Sequence, residues 1–463
     1  MVVEQGLRDA GLTAARDLAA GGADVLVVEA RDRVGGRVEQ TRLPDGRLVQ
    51  LGGEVVGRAR TAYTALVAEL GLTLVPGYVA EPGALTRATP EGVSAGEPPH
   101  WFGPGDEARH HKTTAAFREL ARTVDPDDPW AHPDATTLDR LSVADWLRAR
   151  GAGPAVARLW ETGQLALADG SCERTSLLAA LRKHAAVPVP DAAGPDHYDY
   201  EAWEGLRVAE GSATVALRMA AALDGRVRTG SPVAAVTVRR PGRCTVRLAG
   251  GETLTATAVV SALPVGPLRD VDVTGVSDER LASLHRQRQA LAAKFTAAYE
   301  RPFWRDRGRS GLCESEGVLG STWPQGEGVL SALVPPERLG VLLGIPAPLR
   351  APELLTEIAR LYGDAAHHPL ATHIRLWGTD PWTQGYVTQW TPGDVTAVGP
   401  RHGTHEPPFH VCGSDQWAAG YMEGAVRTGR AAARGGTAPW LTPCRSTTSP
   451  APTGPPPPAR PPH

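Results

Sequence analysis

An α/β fold built as two interleaved lobes is predicted by three observations. The stretch GLTAARDLAAGGADVLVVE (11–29) reads as a helix followed by a continuous apolar strand of the kind covered on both faces of a parallel sheet. A second regular block, near 205–265, reads as strand, Gly turn, helix and then a series of short strands. A third unit, FHVCGSDQWAAGYMEGAVRTGRAAA (409–433), returns to the strand-then-helix pattern after a long irregular interval.

Taken in order, a helix is expected over residues 11–20, closed by the Gly21-Gly22 pair, and a strand over 24–29. Residues 60–71 have the pattern of an amphipathic helix. The Pro- and Gly-rich segments 87–106 and 187–199 are expected as long loops, and 266–394 as a more irregular region. From Thr437 the composition collapses to Pro, Ser and Thr, which cannot bury a core, and a disordered tail is expected over 437–463. The predicted division is 1–75, 205–265 and 395–436 for a nucleotide-binding lobe, with 76–204 and 266–394 for a substrate lobe.

Composition narrows the function. A chain of 463 residues with net charge −3 offers no electrostatic case for nucleic acid or an acidic partner. Five scattered cysteines without a C-x-x-C pair suit reduced thiols in a cytosolic protein, and no basic-then-apolar leader is visible, so a cytoplasmic location is expected. No apolar segment approaches the ~18 residues of a membrane span. The adjacent pairs His110-His111 and His367-His368 lack the i,i+4 spacing of a helical metal site, and no metal is expected. There is no G-x-S-x-G nucleophile elbow. Basic residues are nearly all Arg, the lysines being only Lys112, Lys183 and Lys294, so each lysine merits scrutiny.

The chemistry-bearing signals cluster around the first strand-helix unit. Glu29 closes the apolar run, where a carboxylate can accept hydrogen bonds from both hydroxyls of an adenosine ribose. It is followed by ARDRVGGR, in which Gly35-Gly36 allow close backbone approach to a phosphate and the forks of Arg31 and Arg37 can pair with one. The preceding loop departs from the G-x-G-x-x-G pattern. It reads GLRDAG, with Gly6 and Gly11 in the first and third glycine positions and Arg8 in the second. The Arg8 stem either intrudes on the phosphate path or supplies charge to it. Asp9 adds a carboxylate at the helix N-terminus, able to cap the helix and to compete with an anion. Only Val2 and Val3 are apolar ahead of this loop, which is short for a central strand.

Together, EARDRVGGR, LGGEVVG (51–57), AAKFTAAYERPFW and CGSDQWAAGYMEGAVRTG resemble the flavin-containing amine oxidases, in order and spacing, from about Gly6 to Arg434. That family includes monoamine, polyamine and L-amino-acid oxidases. The resemblance implies a two-lobed FAD-binding Rossmann-like fold of the GR2 type with an interleaved α+β substrate domain. It implies cofactor contacts from Gly6, Gly11, Glu29, Arg31, Gly36, Arg37, Gly52, Gly53 and Val233, and from Gly413, Ser414, Asp415 and Met422. Ala262 and Pro264 match a chain crossing near the cofactor. Lys294 matches a lysine that holds a water beside flavin N5, aligned by Phe303-Trp304, and Tyr386 and Tyr421 match a pair of rings facing each other before the flavin. Trp382 and Trp417 are candidates for the same cavity. Gly385 stands where some members carry a flavin-bonded cysteine, so FAD is expected to be non-covalent. The implied reaction takes an amine to an imine, then aldehyde plus ammonia or amine, while oxygen becomes hydrogen peroxide. An L-amino-acid or polyamine oxidase, and a flavin-poor inactive relative caused by Arg8, stay open as alternatives.

Overall fold

Asp9–Ala20 forms a helix whose Ala and Leu side chains are buried along most of its length. It lies against the C-terminal helix Tyr421–Gly436. The approach is backbone to backbone: a Cβ on Gly429 would sit 2.2 Å from the Ala10 carbonyl oxygen, so glycine is required there. In the computed structural model, residues 9–186, 200–239 and 242–436 are described. Gly6, Arg8, the expected strand at Val2-Val3, the 187–199 loop, Cys444 and the tail from Thr437 lie outside the described residues.

The apolar run after this helix pairs as Val27–Val28, in parallel with Val227–Arg228, and the Glu29 N–H extends the ladder to the Arg228 carbonyl. The strand is shorter than the expected 24–29 because its partner is bracketed by left-handed glycines, Gly225 at φ 75° and Gly230 at φ 61°. A second parallel pair joins Val259–Ser261 to Phe409–Val411, tying the middle of the chain to its end. Beside them lies a four-stranded sheet in the order Thr253–Ala256, Arg243–Leu248, Val233–Arg239, Asp272–Thr274.

A seven-stranded sheet runs in the order Ala371–Leu376, Ala293–Ala298, Val329–Val334, Ser321–Gly326, Arg309–Ser315, Ala84–Thr89, Gly92–Ala95. Five of these strands come from 266–394, correcting the expectation that this stretch is irregular. The cause is physical. Ala293–Ala298 is buried on both faces, so no alternation shows in its sequence, and register shifts at Arg309/Cys313 and Pro324/Gly326 break its neighbours. The 84–95 hairpin likewise corrects the reading of 87–106 as loop throughout; Arg87, Ala88 and Thr89 are buried in it. The amphipathic helix expected over 60–71 is observed as Thr61–Glu69.

Helices from Asp106 to Ala186 pack around Phe117, Trp146 and Trp160 to form an α-helical cover opposite the large sheet. Cys172, Cys244, Cys313 and Cys412 are buried. Among the described residues, no helix is long and apolar enough to cross a membrane, and no group of three or more His, Cys, Asp or Glu could hold a metal ion.

Candidate active site

The large sheet, the helical cover and the C-terminal helix enclose a cavity of about 230 Å³. Lys294 reaches it from the strand Ala293–Ala298, whose alternation places Phe295 and Ala297 in the opposite core cluster with Trp304. The lysine is 2 % exposed and donates from Nζ to the Gly52 carbonyl at 2.8 Å and to Glu54 Oε2 at 2.6 Å. Glu54 also accepts from Trp323 Nε1, and the Lys294 ammonium lies 5.2 Å from the Trp323 ring centroid. Burial pulls the lysine below its ordinary pKa, and Glu54 opposes that shift. Phe303 and Trp304, expected to align Lys294, instead pack with Tyr299 and Tyr362 behind the strand; the lysine is hydrogen-bonded to Gly52 and Glu54.

Tyr386 and Tyr421 both line this cavity. Burial foremost, then the neighbouring Tyr421 and the carboxylates of Glu204, Glu54 and Asp169, push the Tyr386 phenol above its ordinary pKa, so it is a neutral donor. Tyr421 begins the last helix with φ +59°, directly after Gly420 at φ +66°. A left-handed tyrosine costs about 1–2 kcal/mol, which the surroundings of its ring must offset. Trp417 lines the cavity as expected. Trp382 does not: it is held in a neighbouring loop by its N–H to Asp380 Oδ1 at 2.9 Å, so that assignment is corrected.

The expected cofactor contacts fall into two groups. Arg37, Gly52, Gly53, Ser414 and Met422 line the cavity with the tyrosines. The Arg37 fork donates to the Tyr386 carbonyl at 2.6 Å, to Ser414 Oγ and to Asp415 Oδ1 at 2.8 Å, binding the two ends of the chain together. Gly52 is required, because a Cβ there would lie 2.1 Å from the Arg37 carbonyl oxygen. Asp415 is also reached by Gln289 Nε2 at 3.1 Å. The second group lies outside the cavity. Glu29 is fully buried at the strand end and accepts the Arg31 N–H at 2.8 Å, while Ser231, two residues before Val233, donates its N–H to the Glu29 carbonyl at 2.7 Å. Gly36 is left-handed at φ 57°, and Gly413 has φ 132°. Arg31 is paired with Asp380 at 2.5 Å and keeps one guanidinium nitrogen, Nη1, without a partner.

Asp9 is the discordant residue. It is 3 % exposed in the first turn of its helix and lines the cavity, and among the described residues its Oδ1 has no hydrogen-bond partner. Burial raises its pKa to about 7. The sequence position suits a cap and a competitor for anions; in the structure burial favours the neutral acid at the helix N-terminus, and the protonated form is a donor.

Four further cavity residues were not singled out from sequence: Glu54, Asp169, Lys183 and Glu204. Glu54 lay inside the quoted LGGEVVG motif, and the rarity of lysine was the available signal for Lys183. Lys183 pairs with Asp169 at 2.8 Å; burial is the largest influence and lowers its pKa, but Asp169 and Tyr421 together raise it above the ordinary value. Glu204 accepts the Tyr78 hydroxyl.

The model of the family described as flavin containing amine oxidoreductase matches residues 10–435. The chain belongs to this family. The putrescine oxidase of Kocuria rosea is 29% identical over 454 residues, covering 93% of this chain and 94% of that protein. The L-amino acid dehydrogenase of Synechocystis sp. is 27% identical over 462 residues, covering 94% and 93%. A solved structure of putrescine oxidase bound to putrescine superposes with a TM-score of 0.82 at 27% identity, covering 94% of this chain and 98% of that one. The chain is therefore an FAD-dependent amine oxidase with the mixed α/β fold of its flavoenzyme relatives.

As a flavin-containing amine oxidoreductase, it presents surfaces that fit FAD. The close-packed Gly52, the left-handed Gly35 and Gly36, the Arg37 fork and the buried Glu29 form one continuous set from cavity to strand end. Asp9 fits an anion only when protonated. Gly385 supplies no thiol, and even a Cβ there would lie 2.3 Å from the Gln289 Cβ. The cofactor is held non-covalently.

Proposed function

We propose that this cavity binds a primary or secondary amine as its free base between Tyr386 and Tyr421, with its α-carbon presented toward the edge marked by Lys294. The observation that carries this reading is convergence: Lys294, Tyr386 and Tyr421 share one cavity with Arg37, Gly52, Gly53, Ser414 and Met422. The two ring faces exclude water and orient the amine. FAD, when bound, supplies the electron chemistry, taking a hydride equivalent from the amine and passing electrons to oxygen.

Arg37, Gly36, Gly52, Gly53, Ser414, Asp415 and Met422 are proposed to hold the flavin and pyrophosphate, and Glu29, Arg31 and Val233 the adenosine. Gly11 and Gly413 give the backbone approach at the two helix starts. Lys294, kept in place by Gly52 and Glu54, is proposed to hold the water or oxygen species that meets the reduced cofactor. The dipole of the helix Tyr421–Gly436, with its N-terminus at the cavity, favours negative charge there.

The test is the visible spectrum of the purified protein with added FAD. Bleaching of the flavin bands by a primary amine under anaerobic conditions supports the reading; a loaded protein that no amine bleaches overturns it.

A diamine substrate is favoured by one specific observation. Glu204, besides Asp169 with its paired Lys183 and Glu54 with its paired Lys294, adds a carboxylate to the cavity wall, suited to a distal ammonium. The ratio of kcat/KM for 1,4-diaminobutane over butylamine should fall at least tenfold in Glu204→Gln; an unchanged ratio removes this reading.

A further inference from the structure

Arg60 stands immediately before the helix Thr61–Glu69 and is 2 % exposed. Among the described residues, none of its three guanidinium nitrogens has a hydrogen-bond partner. A buried charge without such partners needs another source of stabilisation, and here it is aromatic. The guanidinium carbon lies 4.3 Å from the Tyr421 ring centroid and 5.2 Å from that of Trp203. Lys183 faces the same two rings, its Nζ 5.6 Å from Tyr421 and 5.9 Å from Trp203. The two rings are thus already engaged by two cations of the protein itself. Lys183 carries its counter-ion, Asp169, at 2.8 Å. Arg60 has no hydrogen-bonded carboxylate.

We infer that Arg60 is a positioning and specificity residue that makes the amine site reject ammonium and accept the free base. The inference rests on the proposed placement of the amine against Tyr421. A cation attracts the π density of a ring, and a ring already polarised toward one cation attracts a second less strongly. Arg60 does not line the cavity. Its charge therefore acts on the amine through the Tyr421 ring that it stacks on. The same stacking holds Tyr421 in its left-handed backbone conformation. The proton of a substrate ammonium is left in solvent before the amine docks, so its nitrogen lone pair is free for the reaction.

Other charged or titratable groups face this assembly. Glu423 accepts the Ala62 and Tyr63 N–H groups and pairs with Arg427 at 2.7 Å. Arg58 pairs with Glu201 at 3.1 Å on the helix that carries Trp203 and Glu204. His184 lies 6.5 Å from the Trp203 ring, Tyr78 donates to Glu204, and Asp9 adds its charge beside the buried Tyr63. The Lys294–Glu54 pair and Tyr386 complete the cavity side. All of these remain in an Arg60 variant, so a change on removing Arg60 alone reports that one charge.

The experiment follows the limiting rate of anaerobic flavin reduction by benzylamine against pH, in the FAD-loaded enzyme. In Arg60→Met the acid limb should move to higher pH by about one unit, because the bound amine then keeps its proton more easily. Arg60→Lys should retain the wild-type limb, and Arg60→Gln should follow Met, which keeps the test open if Met does not fold. Benzyltrimethylammonium, which cannot lose its charge, should inhibit Arg60→Met or Arg60→Gln at least tenfold more tightly than wild type. An unmoved limb with an unchanged inhibition constant overturns the inference while leaving amine oxidation intact. Absence of bleaching in the wild type at every pH would instead remove the reading of the amine site itself.

Discussion

Lys294 and Glu54 form a 2.6 Å ion pair inside the cavity, each nearly closed to solvent. Burial lowers the lysine pKa, and Glu54 works against that fall. Lys294→Met should slow reoxidation of the reduced flavin by oxygen on the order of 100-fold, with amine reduction changed less than tenfold. Glu54→Gln lowers the lysine pKa further, so the alkaline loss of reoxidation should begin at lower pH than in wild type. Stopped-flow reduction and reoxidation, measured separately, check both. Breaking the pair from either side also costs about 3–5 kcal/mol of stability.

Asp9 links cofactor retention to pH. Its folded pKa, about 7, lies above the unfolded value of 3.8. The folded state therefore binds the extra proton between those values, and stability falls as pH rises through that window, by about 4 kcal/mol at most. Asp9→Asn should abolish this loss, raising the Tm at pH 8 more than at pH 5. FAD should also dissociate more readily from wild type above pH 7, where the carboxylate opposes the phosphates, and not from Asp9→Asn. Titration of apoprotein with FAD at pH 6 and pH 9 decides it; equal pH dependence in both proteins would count against the assignment.

Arg37 serves three acceptors with one planar fork: Tyr386 O, Ser414 Oγ and Asp415 Oδ1. Lysine cannot reproduce that geometry. Arg37→Lys should weaken FAD binding at least tenfold and disturb the visible flavin bands, although the charge is kept. An unaltered dissociation constant and spectrum would show that the charge alone suffices.

The contact of Gly429 with Ala10 predicts a steep cost for one methyl group. Gly429→Ala drives a Cβ toward a backbone oxygen that cannot rotate away. Overpacking of this kind costs about 1–3 kcal/mol, and here it separates the helices Asp9–Ala20 and Tyr421–Gly436. Gly92→Ala, with open space around it, is the matched control and should leave the Tm within a degree or two. Thermal unfolding of the two variants side by side provides the measurement.

The candidate site was legible where chemistry sits in short fixed spacings. EARDRVGGR places Glu29, Gly36 and Arg37 within one turn of chain, and a lysine among so few marks Lys294. What escaped depends on contacts between distant segments. Glu54 is an ordinary acid until Lys294 arrives from a strand some two hundred and forty positions later. Arg60 looks like a solvated residue at a helix start until Trp203 and Tyr421 close over it. The strands Ala293–Ala298 and Val329–Val334 hid for another reason: burial on both faces erases the two-residue alternation by which strands are read. Trp382 failed because aromatic character carries no direction, and its loop turns it away from the cavity.

Gly385 offers no thiol to the flavin, and the Gln289 side chain leaves no room for a Cβ at that position. Working enzyme is therefore an equilibrium population and not a fixed fraction of the chains made. A cell that produces this protein sets its amine-oxidising capacity, and its peroxide output, by flavin supply as much as by translation.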